Sequence, residues 1–589
     1  MRGQVCFELT IRPLFCESSS FVQDGNSTGA SMQSTSDESG DEKVYYRDVH
    51  FSGFGGEPSE LPWGQRYMWN VIRIFQPRDQ FLNLALIQSV PQGIDLETVL
   101  SALESLLNKH ESLRTRYHVD EFGHPKQEVI SSGKLSVEIR ELATEEGEPS
   151  RVAEAVWQEF KYSCYNLTRD FPVKAAVITR GEIPHLLVIG LSHMAADGWG
   201  LRRVQDDLAD SMGAGERSSD SSAPVWQPRD QFRHEQSPVA LRRMSRTLEY
   251  FSSQLENFPS TMFWSRREKT ERPRYLSGYL DCPALLPAVS GIYKSHNVTP
   301  ASAILAAFSL AIGHKTCRED CCLFVNYSNR DRRNAESVAN YTQSVPVQID
   351  LTESSFWRHM QAVHRAALNS YKFATCSPSE RRELIRTISY RRGVRIMDDC
   401  LFNALWFASK EDLEEGANHD GQAIDPLAQP STFTWKEGIE RGAAMYIETQ
   451  PGSLGLIADT KFFQPEEFEE TLRLVESLLI KGAKEDFNPT DLLAFHSRKI
   501  PGGAWSYVDN SWINLETTRR MIAEVTRLDF IDVAVLPEGD GEDKILVARL
   551  REVRTEMNID EIRLRCLEAL PQWRDVMVPH HIELNSIGS

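Results

Sequence analysis

Ser192-His193-Met194-Ala195-Ala196-Asp197-Gly198-Trp199-Gly200 is the stretch from which the rest of the chain is read. Residues 184–191 (PHLLVIGL) precede it, an apolar run of the length expected for a buried strand. Leu201, Val204 and Leu208 follow it on one face of a predicted helix. A loop between such elements presents the His193 imidazole while the scaffold holds it still. Asp197, four residues on, suits either pairing with an arginine from elsewhere or capping the helix, and both readings stand. Gly198 permits the turn that starts the helix. Ser192 is not read as a nucleophile, because neighbouring residues on a strand point to opposite faces. Trp199 is expected to be a packing residue, like Trp63 and Trp69, given the area a tryptophan buries.

Outward from this centre the chain divides into bodies. Residues 17–43 are rich in Ser, Gly and Asp with little to bury, so 1–45 is expected to be a disordered leader. A first body runs over 46–275. It contains a short apolar run at Phe81–Ser89, read as a strand, and Leu96, Val99, Leu100, Leu103, Leu106 and Leu107 at helical spacing. An amphipathic stretch from Ala240 to Phe258 and a polar, basic passage close it. A second body runs over 276–490, with a buried helix at Ala301–Ile312, strands at Cys322–Ser328 and 341–351, an acidic surface insertion at Glu411–Gln429 and a closing helix at Gln464–Lys481. Residues 500–589 read as a small α+β unit: helix 515–528, strand 531–536, strand 544–550 and helix 559–570.

Composition narrows the function. The 589 residues are 41% hydrophobic and 25% charged, ordinary for a globular protein of several domains. A formal charge of −19 argues against nucleic acid, whose phosphates demand a basic face. No apolar run is long enough to span a membrane, and the amino terminus does not read as a secretory signal. The ten cysteines are scattered without zinc-ligand spacing. They are expected to be reduced thiols in a cytoplasmic protein. Adjacent His580 and His581 lack the i,i+4 spacing of a helical metal pair, so no metal is expected. His110 is read as structural.

The central string resembles the His-His-x-x-x-Asp-Gly-Trp core of the condensation domains of nonribosomal peptide synthetases. Other segments resemble that family in the same order: Trp63-Gly64-Gln65-Arg66-Tyr67-Met68-Trp69, Lys109-His110-Glu111-Ser112-Leu113-Arg114-Thr115-Arg116-Tyr117, and Tyr165-Asn166-Leu167 with Asp170-Phe171-Pro172-Val173. Asn329-Arg330, Thr342-Gln343-Ser344-Val345-Pro346-Val347 and Ala458-Asp459-Thr460 complete the series, which spans roughly residues 58–485. The resemblance implies an α/β fold with two chloramphenicol-acetyltransferase-like lobes in a V and the histidine in a tunnel between them. It implies that His193 orients or deprotonates an amine attacking a thioester, with the backbone N–H of Gly198 helping to bind the oxyanion. It also implies that Asp197 is structural and paired with Arg330. The sequence departs from the family where Ser192 replaces the first histidine, and where Tyr341-Thr342-Gln343-Ser344 stands for Phe-Val-Asn-Thr.

The family's acyl groups travel on phosphopantetheine. No cofactor is expected to be bound permanently here. No Gly-Gly-x-Ser motif occurs, so a separate peptidyl or acyl carrier protein is the expected partner, with a small-molecule or carrier-bound acceptor. Residues 531–535, 541–548, Leu570-Pro571 and Met577-Val578-Pro579 resemble the terminal subdomain of adenylation enzymes. That family's lysine and phosphate loop are missing, which makes the unit a docking relic. The leading expectation is a free-standing enzyme forming an amide or ester bond in natural-product or antibiotic biosynthesis. A catalytically silent docking module and an epimerising relative are the other readings.

Overall fold

A computed structural model describes residues 42–142, 148–213, 224–264, 273–405, 413, 426–436, 438, 442–494, 501–528, 531–537, 544–551 and 558–585. The first lobe begins with β1 (Glu42–Ser52), β2 (Ser59–Glu60), α1 (Trp63–Phe75), β3 (Leu84–Ser89), α2 (Leu96–Lys109), β4 (Thr115–Val119) and β5 (Pro125–Val129). It continues with β6 (Ser132–Leu142), α3 (Pro149–Lys161), β7 (Val173–Arg180), β8 (Ile183–Leu191), α4 (Gly198–Ser211) and α5 (Pro228–Glu235). Its main sheet has the order β1-β6-β7-β8-β3, and β2-β5-β4 form a small second one. The leucines of α2 were spaced for one face, and Val99, Leu100, Leu103, Leu106 and Leu107 are buried against that sheet with Leu187 and Ile189 of β8. Asp95 starts α2 by accepting from the Thr98 N–H at 2.8 Å.

The second lobe comprises α6 (Pro238–Leu255), β9 (Tyr275–Asp281), α7 (Leu285–His296), α8 (Pro300–Thr316), β10 (Asp320–Tyr327), β11 (Gln343–Asp350), α9 (Phe356–Tyr371) and α10 (Pro378–Arg392). Then follow β12 (Cys400–Ala404), β13 (Thr432–Lys436), β14 (Met445–Gln450), β15 (Ser453–Asp459) and the helix Pro465–Lys484. Seven strands lie in the order β11-β10-β12-β14-β15-β9-β13. Helix α8 is buried almost all round, as its lack of a polar face requires. Among the described residues no single helix is long and apolar enough to cross a membrane. Helices α7 and α8 together carry enough apolar sequence, but they are bent by 106° and packed in this core.

Several expected boundaries move. Strand β1 starts at Glu42 and pairs along β6, so strand structure begins inside the expected leader; residues 1–41 lie outside the described residues. Helix α6, expected with the first body, packs on α10 and β11 and buries Phe251 and Leu255 in the second core. The polar passage before 275 therefore does not mark the crossing between lobes, which falls between α5 and α6. Strand β11 starts at Gln343 rather than 341, because Tyr341 and Thr342 turn away to bond Asp197. Most of the insertion 411–429 lies outside the described residues.

The C-terminal unit holds a hairpin (Trp505–Val508 with Ser511–Asn514), helices Leu515–Thr526 and Ile559–Ala569, and a sheet of Ile531–Pro537, Lys544–Arg551 and His581–Asn585. It has its own small core around Met521, Ile522, Ile562 and Cys566. It is also welded to the second lobe: Val508, Ile513 and Met577 enter the large core. Met577 bridges Val394, and the Arg318 guanidinium donates to the Asn510 carbonyl at 2.8 Å.

Candidate active site

The loop 192–197 is buried throughout, and His193 is 1% exposed. Its Nδ1 stands 2.6 Å from the Ala196 carbonyl oxygen. A contact that short to an acceptor needs a proton on Nδ1, which leaves Nε2 as the nitrogen with the lone pair. Burial lowers the His193 pKa to about 3, so the ring is neutral at any working pH. Desolvation thus takes this imidazole well below the value near neutrality of a solvated histidine.

Asp197 both caps the helix and binds an arginine, so the two readings left open are satisfied together. Its Oδ1 accepts from the Gly200 N–H at 2.8 Å and from Arg330 Nη2 at 2.8 Å. Its Oδ2 accepts from the Tyr341 N–H at 3.1 Å and the Thr342 hydroxyl at 3.2 Å. Three of these four donors come from the second lobe, so one carboxylate ties the loop to both halves of the molecule. Arg330 in turn donates to the carbonyls of Asn334, Ser337 and Ala339. A buried charge pair is tolerable only with such saturation.

Other residues clamp the loop that the sequence did not single out for this task. Asn340 Nδ2 donates to the His193 carbonyl at 3.1 Å and lies 3.1 Å from His193 Nδ1. Gln65 Nε2 and the Tyr117 hydroxyl both donate to the Met194 carbonyl, at 3.0 and 3.3 Å. Helix α1 reaches this place because Gly64 has no side chain: a Cβ there would sit 2.6 Å from the Asn340 carbonyl oxygen. Gln65 and Tyr117 lie inside segments already quoted, but amides and phenols carry no spacing signal of their own. Asn340 sits one residue before such a segment.

The remaining expected site residues fall as follows. Gly198 is the first residue of α4, and its N–H is among those a helix cannot bond internally. It does not adopt a left-handed φ, so the turn does not depend on glycine's backbone freedom. Ser192 is buried, and its hydroxyl accepts from the Met194 N–H at 3.4 Å. Trp199 is 45% exposed and is no core residue, unlike Trp63 at 8%. The first turn of α4 is anchored by Asp197, which leaves position 199 on the outer face. His110 is buried, with Nε2 2.6 Å from Asp207, as a structural histidine would be. Among the described residues no group of three or more His, Cys, Asp or Glu is placed to hold a metal.

A condensation-domain family model matches residues 61–374, over half of the chain. The chain belongs to the condensation-domain family, the acyltransferases that form amide bonds in nonribosomal peptide and hybrid polyketide biosynthesis. It is 24% identical over 321 residues to the hybrid PKS-NRPS synthetase LUC5 of a Fusarium species, covering 52% of this chain and 8% of that protein. The chain thus spans only a small part of the length of such curated relatives. Its fold is that of the condensation domain from the Monacolin K polyketide synthase MokA (TM-score 0.57, 15% identity, 73% of this chain and 98% of the other). It is similar also to the starter condensation domain of rhizomide synthetase RzmA, in a double-mutant form in complex with C8-CoA and Leu-SNAC (TM-score 0.52, 14% identity, 74% and 96%).

Proposed function

We propose that this chain joins a thioester-activated acyl or aminoacyl group to a nucleophilic acceptor, forming an amide or ester, with His193 at the reacting centre. The observation that carries the reading is the tautomer: Nδ1 is bound to the Ala196 carbonyl, so Nε2 is the nitrogen able to accept a hydrogen bond from an incoming nucleophile. With a pKa of about 3, the imidazole is too weak a base to take a proton from an ammonium ion. The amine therefore arrives neutral. His193 orients its lone pair towards the thioester carbon and stabilises the N–H as charge develops. The Gly198 N–H, at the positive end of α4, is the candidate donor to the tetrahedral oxyanion. The amine nitrogen bonds to the carbonyl carbon, the C–S bond breaks, and the thiol leaves with the amine's proton.

Donor and acceptor would be carried as in the family, on phosphopantetheine of a peptidyl or acyl carrier that lies outside these 589 residues, in the cytoplasm. The relative with bound C8-CoA and Leu-SNAC supports an acyl thioester as donor. The C-terminal unit is read as an adenylation-subdomain relic that serves structure and docking. The test is intact-protein mass spectrometry of acyl-loaded carriers after incubation with this protein and amines. Acyl loss that requires His193 supports the enzyme. Carriers left unchanged across a panel of acyl groups and amines would instead support a silent docking module.

A further inference from the structure

One face of the second-lobe sheet carries a pair of amide side chains where the residues behind them are core. Strands β10 and β11 pair Asn326 with Ser344. Parallel β10 and β12 pair Val325 with Phe402, which brings the next residues, Asn326 and Asn403, side by side on the same face. Two residues back along both strands that face is apolar, with Phe324 and Leu401 in the large core. Asn403 is 5% exposed. Its Nδ2, and both Nδ2 and Oδ1 of Asn326, are shut off from solvent and have no hydrogen-bond partner among the described residues. An amide held in that way lowers stability, whereas leucine, a near-isostere, would not.

That face meets α1, which also braces the reacting centre. The Ser344 hydroxyl lies 3.0 Å from the Tyr67 hydroxyl of α1. Gln65, two residues earlier on α1, donates to the Met194 carbonyl beside His193. Thr342, two residues before Ser344, bonds Asp197. The unmet atoms are two donors and one acceptor. A carboxamide complements that set: its carbonyl oxygen can accept from both Nδ2 groups, and its N–H can donate to Asn326 Oδ1. A carboxylate would leave the acceptor unmet, an ammonium the donors, and an alkyl group all three. We propose that Asn326 and Asn403 are specificity-determining residues, selecting a substrate whose chain carries a carboxamide beyond the reacting group. This rests on the acyl-transfer reading and adds what that reading leaves open, the polarity of the substrate chain.

Isothermal titration calorimetry of the full chain with two isosteric pairs tests this, each ligand alone so that no transfer occurs. The donor pair is the succinamoyl and isocaproyl thioesters of N-acetylcysteamine; the acceptor pair is β-alaninamide and isoamylamine. In at least one pair the carboxamide is expected to bind about tenfold or more tighter than its alkyl isostere. That pair says whether donor or acceptor is read. Asn326→Leu and Asn403→Leu should each erase the preference while the melting temperature holds or rises. Equal binding within both pairs overturns the proposal, as does a preference that survives both substitutions. Absence of saturable binding by all four ligands up to roughly 10 mM overturns it too. The isosteres compared on the wild-type protein decide the matter even where a variant fails to fold. The acyl-transfer reading fails elsewhere, on loaded carriers left unchanged, so the two failures are distinguishable.

Discussion

Arg330 Nη2 stands 2.8 Å from Asp197 Oδ1 across the junction of the two lobes, with both side chains buried. A removed partner leaves an uncompensated charge in a place that water does not reach, which costs about 3–5 kcal/mol. Asp197→Ala and Arg330→Ala are each expected to lose stability of that order in chemical denaturation. The double variant should lose less than the sum, because the second deletion no longer strands a charge. Unchanged stability with lost turnover would give Asp197 a chemical role instead.

His193→Ala should abolish product on a validated substrate while the melting curve stays cooperative. The ring touches backbone carbonyl and amide groups rather than forming a core of its own. Wild-type turnover in the purified variant would remove His193 from the mechanism.

Asn340 is a positioning residue, holding the His193 carbonyl at 3.1 Å. Asn340→Ala should lower kcat about 10–100-fold, the scale of a small misplacement of a reacting group. KM for the acyl carrier should stay within about twofold, since Asn340 lies in the loop that braces His193. A change in KM alone would place Asn340 in substrate binding rather than in orienting His193.

Glu235 is 2% exposed and accepts from the Trp63 N–H at 2.8 Å, at the start of α1. Burial raises its pKa from 4.5 to about 8. The native state therefore keeps the proton while the unfolded chain loses it, and stability falls as pH rises from about 4.5 to about 8. The slope from this group is about 1.4 kcal/mol per pH unit. Glu235→Gln keeps an oxygen to accept from the Trp63 N–H and cannot titrate, though it gives up the bond from Gln231 Nε2, so its stability should depend less on pH than that of the wild type between about pH 4.5 and about pH 8. A parallel pH profile for the two proteins would show that Glu235 ionises freely in the native state.

These 589 residues should show no amino-acid-dependent exchange of pyrophosphate into ATP, since no Ser/Thr/Gly-rich phosphate loop occurs among them. Removing residues 500–589 should lower stability sharply, because Val508, Ile513 and Met577 would leave the large core open. Robust exchange by pure protein would refute the first expectation, and an unaltered melting curve after truncation the second.

Much of this was legible in the chain because strand and helix periodicity report local burial. The run 184–191 became β8, and the leucines of 96–107 became the inner face of α2. The paired positions Asp197 and Arg330 stood in recognisable strings. The clamp on the loop was not legible in the same way. Asn340, Gln65 and Tyr117 bond to main-chain carbonyls, and a carbonyl has no side-chain identity to betray its partner.

By itself the sequence determined which segments bury an apolar face, where His193 would sit between strand and helix, and which family motifs follow in which order. These properties follow from residue type and spacing along the chain. Only the tertiary structure decided that α6 belongs to the second core, that Asp197 serves as cap and ion-pair partner at once, and that His193 is held neutral. Each of those depends on which groups from distant segments surround a site. Desolvation and hydrogen bonding are set by that surrounding, not by the neighbours in sequence.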